Sequence, residues 1–443
     1  MKKAILVLGY MLLMMTVYPQ NQNSGSWADL MKESQSIGKP QWRPMLKYLA
    51  VLHQKSTHPP VWPFKNEWEE IGPGYVYGPA FGHIDLVHEV IDVMPSFPEH
   101  ALNQLKNNLE NQEAWGLVPG AIWMAGSLNA PGIQNGTGAG KDSAGWNRET
   151  QGHPPIWVIA ADDYIRLIGD NKEILGFYTA LIRQLAWFEN NRRADGEGYF
   201  YNDILTKLWE SGTDRGIRFD LPVEGKPACI DATCHVYMLY KMALKWQKEL
   251  GISDPVSLKR FQVLEKFIQD DLYDKEKGMF FDRWAIKDKS LQTYAMETFI
   301  PIVVGAATRE QANRLIDECL LDTANFLTVH PVPTVGKRDP KFELRMWRGP
   351  SWNCMTYWIA RGCMNYGRDD AARVLLERAL DDSALQFEKT GTIWEFYHPF
   401  GGDQNSLKRK PGKFDKPCRD YLGHNPFFAM TRMYENIVYN KKE

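Results

Sequence analysis

The sequence predicts an all-α protein built as one domain, a closed ring of helix pairs. Three observations carry that prediction. Apolar residues recur at helical spacing along most of the chain. No Ser-, Pro- or charge-rich linker divides the periodic segments. The connections are long and rich in Gly, Pro and Trp, at 59–82, 126–155, 195–230, 331–350 and 389–424. Long ordered loops in a compact domain usually carry function.

The chain opens with Lys2-Lys3 and an apolar run from Ala4 to Val17. A basic start followed by so short an apolar run reads as a signal peptide, with an uncleaved anchor as the alternative. Residues 1–24 are thus a leader, 25–443 a single domain, and the protein is expected to be secreted or periplasmic, with no other membrane association. From Pro154, Trp157, Ala160, Ala161, Tyr164 and Ile168 share one helix face, closed by Gly169. Ile174, Tyr178, Leu181, Leu185 and Phe188 form the next stripe. Ala232, Val236, Leu239, Ala243 and Trp246 form another, ending near Gly251, and Asp254-Pro255 starts a further helix. Later helices are expected over 309–320, 351–364, 369–381 and 425–439.

The formal net charge of −2 argues against a nucleic-acid partner, because phosphate binding needs a basic surface. Six cysteines in 443 residues are too few for a disulfide-built scaffold. Cys229, Cys234 and His235 fit no zinc spacing and read as buried free thiols and an apolar helix face. The 16 Trp and 19 Tyr serve mainly as core, yet tryptophans beside polar, Gly-rich loops are also what a sugar ring stacks on.

Three loop segments concentrate polar and aromatic residues. The first is Leu208-Trp209-Glu210-Ser211-Gly212-Thr213-Asp214-Arg215-Gly216-Ile217-Arg218. The second, Trp347-Arg348-Gly349-Pro350-Ser351-Trp352-Asn353, places Trp347 and Arg348 just before a helix start if Pro350 occupies its first turn. The third sets Glu395 in an aromatic run with Trp394, Phe396 and Tyr397. A carboxylate there must be paired or hydrogen-bonded; it reads as a structural ion pair or as a base in a sugar pocket. Gly136 to Ser143 resembles a phosphate loop but lacks Gly at Asn135 and Ser or Thr at Asp142. Residues 126–152 are read instead as a Gly-rich lid.

These segments resemble glycoside hydrolase family 63 and its mannosylglycerate-hydrolase-type relatives, with trehalases more distantly similar. Trp347 to Asn353 matches the W-R-G-P-x-W run, and Glu210-Ser211-Gly212-Thr213-Asp214 matches E-S-G-x-D. Gln151-Gly152-His153-Pro154-Pro155 resembles the Q-P-P helix start. The resemblance runs from about residue 75 to the C-terminus. It implies an (α/α)6 barrel with Asp214 as general acid and Glu395 as general base. It also implies substrate contacts from Trp209, Glu210, Arg218, Trp347, Arg348, Gly349, Trp394, Tyr397, Gln151, Tyr77 and Phe81. Arg348 and Arg218 are expected to hold Glu395 ionised, and Glu210 to lie beside Asp214. Two departures stand out: Gly78 occupies the place of an aspartate that holds the sugar in relatives, and Thr213 replaces a tryptophan.

The implied reaction is hydrolysis of an α-linked gluco- or manno-configured glycoside with inversion. A small carbohydrate is the expected partner. No redox or organic cofactor and no metal site is implied, although a structural calcium stays open. Two other readings are a trehalase-type hydrolase and a sugar-binding barrel without catalysis. A polysaccharide lyase using Tyr397 and His398 is a third.

Overall fold

The computed structural model describes residues 25–124, 140–141, 147–148, 151–169, 171–206, 209–220 and 223–439. The expected leader at 1–24 and most of the expected lid lie outside these residues. The chain is mostly helical, as expected, with a few short strands that were not.

The helices stop and start where local chemistry directs. Trp157–Ile168 and Ile230–Leu250 end at Gly169 and Gly251, both at φ +68°, a conformation that costs glycine nothing. Pro255–Asp271 begins at Asp254, whose carboxylate accepts the Val256 and Ser257 amides. Arg309–Leu315 starts with a Thr308–Gln311 capping box and runs into a π-helical turn at Ile316–Leu320. The helix expected at 369–381 continues to Thr390. The one expected at 351 begins at Asn353, because Ser351 exchanges two backbone hydrogen bonds with Tyr397, at 3.0 and 2.8 Å. Pro350 therefore lies before the helix, not in its first turn.

Four N-terminal helices were not expected: Trp27–Glu33, Arg43–Ser56, Asp85–Val93 and Pro98–Glu110. Asp85–Val93 packs on Pro98–Glu110 and Trp157–Ile168, and Trp157–Ile168 on Ile174–Asn191 and Ile230–Leu250. Ile230–Leu250 packs on Pro255–Asp271 and Ile300–Val304, which meets Asn353–Asn365. Asn353–Asn365 packs on Asp369–Thr390 and Phe427–Tyr439, and Phe427–Tyr439 returns to Asp85–Val93. One large apolar core runs through these contacts, with Trp42, Trp157, Trp246 and Trp352 almost fully enclosed. Burying each such side chain contributes on the order of 2–3 kcal/mol. All six cysteines are buried and unbridged.

A small antiparallel sheet borders these helices. Ala80–Gly82 pairs with Ala121–Trp123 in the register Phe81 to Ile122, and Asn147–Arg148 and Gly140–Lys141 extend it. Alternation sends Phe81 inward against Phe64, at 4.8 Å between ring centroids. Ala121 and Trp123 face a cleft on the other side.

Candidate active site

The cleft spans about 620 Å³, the open solvent at its mouth included. Three carboxylates line it, from three distant segments: Asp85, Asp214 and Glu395. Aromatic walls come from Tyr75, Tyr77, Trp123, Trp209, Trp347 and Tyr421.

Asp214 rides on a loop braced from behind. Asp203 accepts the Ser211 amide and hydroxyl, each at 2.9 Å, and the Ser211 hydroxyl meets that of Thr213 at 2.9 Å. Burial, with Glu210 nearby, pushes Asp203 up to about 8, so it holds a proton at neutrality. The Asp214 Oδ2 lies 2.6 Å from the Lys410 ammonium. That ammonium stands over the rings of Tyr77 and Trp209, 5.4 and 5.8 Å from their centroids.

Glu395 sits in an extended segment whose amide donates to the Cys418 carbonyl at 3.0 Å. Its carboxylate accepts from Arg409 Nε, at 2.7 and 2.9 Å, and from the Cys418 amide at 3.1 Å. Arg409 also donates to the Tyr77 hydroxyl at 3.3 Å. Glu395 and Arg409 are almost wholly enclosed.

Asp85 opens the helix Asp85–Val93. A Cβ at Gly82 or Gly423 would lie within 2.4 Å of its side chain, so two glycines permit the close approach of backbone to this carboxylate. The Tyr421 hydroxyl donates to Asp85 Oδ1 at 3.0 Å, and His424 Nε2 lies 3.2 Å away. Burial first, then the charges of Glu395 and Asp214, raise Asp85 to about 7. Sequence reasoning missed this residue and looked for such a carboxylate at Gly78, which occupies a turn at φ +87°. It also missed Arg409 and Lys410, which sit in a basic stretch of loop, and the lining residues His153 and His424.

Of the expected contacts, Tyr77, Trp209 and Trp347 line the cleft with Asp214 and Glu395. The others do not. Glu210 is fully buried in a two-pronged pair with Arg192 at 2.6 and 2.7 Å and accepts the Asn202 amide at 2.6 Å, which braces the loop. Arg218 is enclosed by Asp231, Asp282 and Glu297 at 2.6–3.2 Å, so it cannot hold Glu395. Arg348 pairs with Asp220 and Glu343. Arg409 is the arginine that pairs with Glu395. Gly349 lets the chain pass the Glu343 carbonyl, which a Cβ would meet at 2.2 Å. Trp394 hydrogen-bonds Thr390, and Tyr397 stacks on His330 at 4.7 Å. Gln151 accepts from Asn202 at 3.1 Å, and Phe81 is core.

A helical scaffold whose loops bring paired carboxylates and aromatic rings into one cleft defines the class of glycoside hydrolases. Residues 83–421 match the family described as the mannosylglycerate hydrolase MGH1-like glycoside hydrolase domain. The chain belongs to that family. It is 29% identical over 137 residues to mannosylglycerate hydrolase MGH1 of Selaginella moellendorffii, a stretch covering 30% of this chain and 26% of that one. It is 26% identical over 167 residues to the mannosylglycerate hydrolase of Thermus thermophilus, covering 37% of each. The matched stretches thus span about a quarter and just over a third of those relatives. In fold it is similar to the GH63 mannosylglycerate hydrolase of Thermus thermophilus in complex with Tris and D-glycerate. There the TM-score is 0.65 at 16% identity, covering 87% of this chain and 98% of that one. The neutral trehalase Nth1 of Saccharomyces cerevisiae matches with a TM-score of 0.56 at 14% identity, covering 81% of this chain and 71% of that one.

Proposed function

We propose that the protein is an inverting α-glycosidase in which Asp214 protonates the leaving oxygen and Glu395 activates water. One observation carries the reading: the two carboxylates come from separate loops and meet in one cleft walled by aromatic rings. General acid–base assistance needs such a pair on opposite sides of the bond. Arg409 and the Cys418 amide orient Glu395 as the base. Asp85, which exchanges its proton near neutrality, is placed to bond sugar hydroxyls beside the cleaved bond. Trp209 and Trp347 offer faces for pyranose stacking. Supporting closure into an (α/α)6 barrel, the packing order returns from Phe427–Tyr439 to Asp85–Val93. The leader supports export to the periplasm or beyond.

The substrate is an α-mannoside or α-glucoside with a small aglycone. Family membership supports this, together with related structures bound to glucose and to D-glycerate. The lyase reading loses its base, since neither Tyr397 nor His398 lines the cleft. Proton NMR in the first minutes of hydrolysis of an α-linked substrate tests the mechanism. Carboxyl groups roughly 6.5–9.5 Å apart leave room for water and release the β-anomer first. An initial α-anomer would overturn the inverting assignment.

A further inference from the structure

Behind Glu395 lies a buried polar network, none of whose members lines the cleft: Asp382, His330, Asn353, Ser383 and Asn425. It takes hold of the neighbouring residue, Trp394, by both backbone groups. The Trp394 carbonyl accepts from Asn425 Nδ2 at 2.8 Å, and its amide donates to the Tyr397 hydroxyl at 3.2 Å. The Tyr397 ring is itself stacked on His330, with the planes 15° apart. The direction of the network can be read from one end. Asn425 Nδ2 faces two carbonyls, those of Trp394 and Tyr421, at 2.8 and 2.6 Å. A carbonyl only accepts, so the Asn425 nitrogen points there and its oxygen points away. That oxygen needs a donor, which is Asn353 Nδ2 at 3.0 Å; the same nitrogen also donates to Ser383 Oγ at 3.2 Å. The Asn353 oxygen is thereby turned to His330 Nε2, 3.0 Å away, and that ring nitrogen must carry a hydrogen. On the other side of the ring, Nδ1 lies 2.8 Å from Asp382 Oδ2, which anchors it.

We propose that His330 is a positioning residue for the general base: the hydrogen on its Nε2 sets the direction of the hydrogen bonds through Asn353 and Asn425, and so fixes the peptide that carries Glu395. This rests on the glycosidase reading above. Without that hydrogen, the ring nitrogen and the Asn353 oxygen are two buried acceptors facing each other, an arrangement that burial makes costly. Asn353 then turns over and presents its oxygen to the Asn425 oxygen. Asn425 turns in response and releases the Trp394 and Tyr421 carbonyls. The Tyr421 hydroxyl donates to Asp85 at 3.0 Å, so the same network holds the backbone beside two of the three cleft carboxylates. A shift of about 1 Å in such a group can slow the reaction by ~100-fold without any contact with substrate being lost.

The test uses the difference between glutamine and asparagine. A glutamine amide nitrogen reaches the position of Nε2, whereas an asparagine amide nitrogen reaches only that of Nδ1. His330→Gln is therefore expected to stay within ~3-fold of wild-type kcat on an α-linked substrate, and His330→Asn to lower kcat by ~10–100-fold with KM little changed. Equal losses in the two variants, a change in KM alone, or a His330→Gln variant that does not fold overturns the proposal. In a Glu395→Gln background, His330→Asn should cost nothing further, because the group it positions is gone, and a second full loss there overturns the proposal. NMR of the full-length enzyme carrying isotope-labelled histidine reads the network without turnover. The His330 Nε2 signal, assigned by its loss in His330→Gln, should show a directly bonded hydrogen, and a bare Nε2 overturns the proposal whatever the kinetics. Wild-type activity in Glu395→Gln would instead remove the base reading, and with it the positioning role, while the hydrogen on Nε2 would stand as a property of the fold.

Discussion

The two sides of the cleft solve one problem by opposite means. On the Glu395 side, a buried guanidinium and a backbone amide fix the carboxylate, and nothing there can move without exposing an unpaired charge. On the Asp214 side, the carboxylate keeps 17% exposure and faces a single flexible ammonium. In the proposed mechanism, a base that must aim one water gains from rigidity, whereas an acid that must receive, present and lose a proton gains from a partner that can withdraw.

The contrast can be broken most forcefully at the carboxylates. Asp214→Asn and Glu395→Gln are each expected to lower turnover by about 10²–10⁴-fold with the fold intact, measured by steady-state kinetics alongside circular dichroism. Either variant keeping a tenth of wild-type activity would remove that residue from the mechanism.

Next come the cations. Arg409→Met leaves Glu395 buried without compensation, a change that typically costs about 3–5 kcal/mol. Lys410→Met should cost far less, because Asp214 can turn to water. Denaturant midpoints for the two variants are expected in that order, and equal losses would show the two sides to be alike.

Trp347→Ala tests the wall between them. Trp347 is 6% exposed and stacks on Trp352 at 3.7 Å, so it belongs to the core as much as to the cleft. Its loss should lower stability by about 3–5 kcal/mol as well as weaken binding. The sequence alone suggested a loop aromatic whose removal would weaken binding more than folding. A thermal melt matching wild type, with a raised KM, would restore that simpler view.

A further expected effect is a pH dependence at Asp85. Its folded value is raised from 3.8 to about 7, so the folded state binds more protons than the unfolded state between those values. Stability from this group therefore falls as pH rises through that window, by at most ~1.4 kcal/mol per unit, and levels off above it. Asp85→Asn should melt progressively higher than wild type as pH goes from 4 to 7, with a constant gap above. A gap that shrinks with pH would reverse the assigned direction.

How much of this was legible depended on where each residue's partners lie. Helices such as Trp157–Ile168 keep one wet face, so their stripes show, and their stops are local to Gly169 and Gly251. Asp85–Val93 has no wet face at all: Asp85, His88, Glu89 and Asp92 are buried alongside its apolar residues. Its stripe vanishes, and with it the cue to Asp85. Asp214 and Glu395 could be singled out because each lies in a local motif. Their cations could not, since Arg409 and Lys410 acquire meaning only from segments folded against them. Arg218 and Arg348 looked equally suited, but nearby carboxylates had already claimed them.

Arg409 and Lys410 are consecutive residues, and adjacent Cα atoms in a trans chain stand about 3.8 Å apart. One dipeptide therefore touches both carboxylates and acts as a gauge between them. Whatever shifts this strand along the cleft shifts both cations in step, which protects the spacing that decides the stereochemistry. A single residue inserted between them would uncouple the two ends of the gauge while leaving both charges in place.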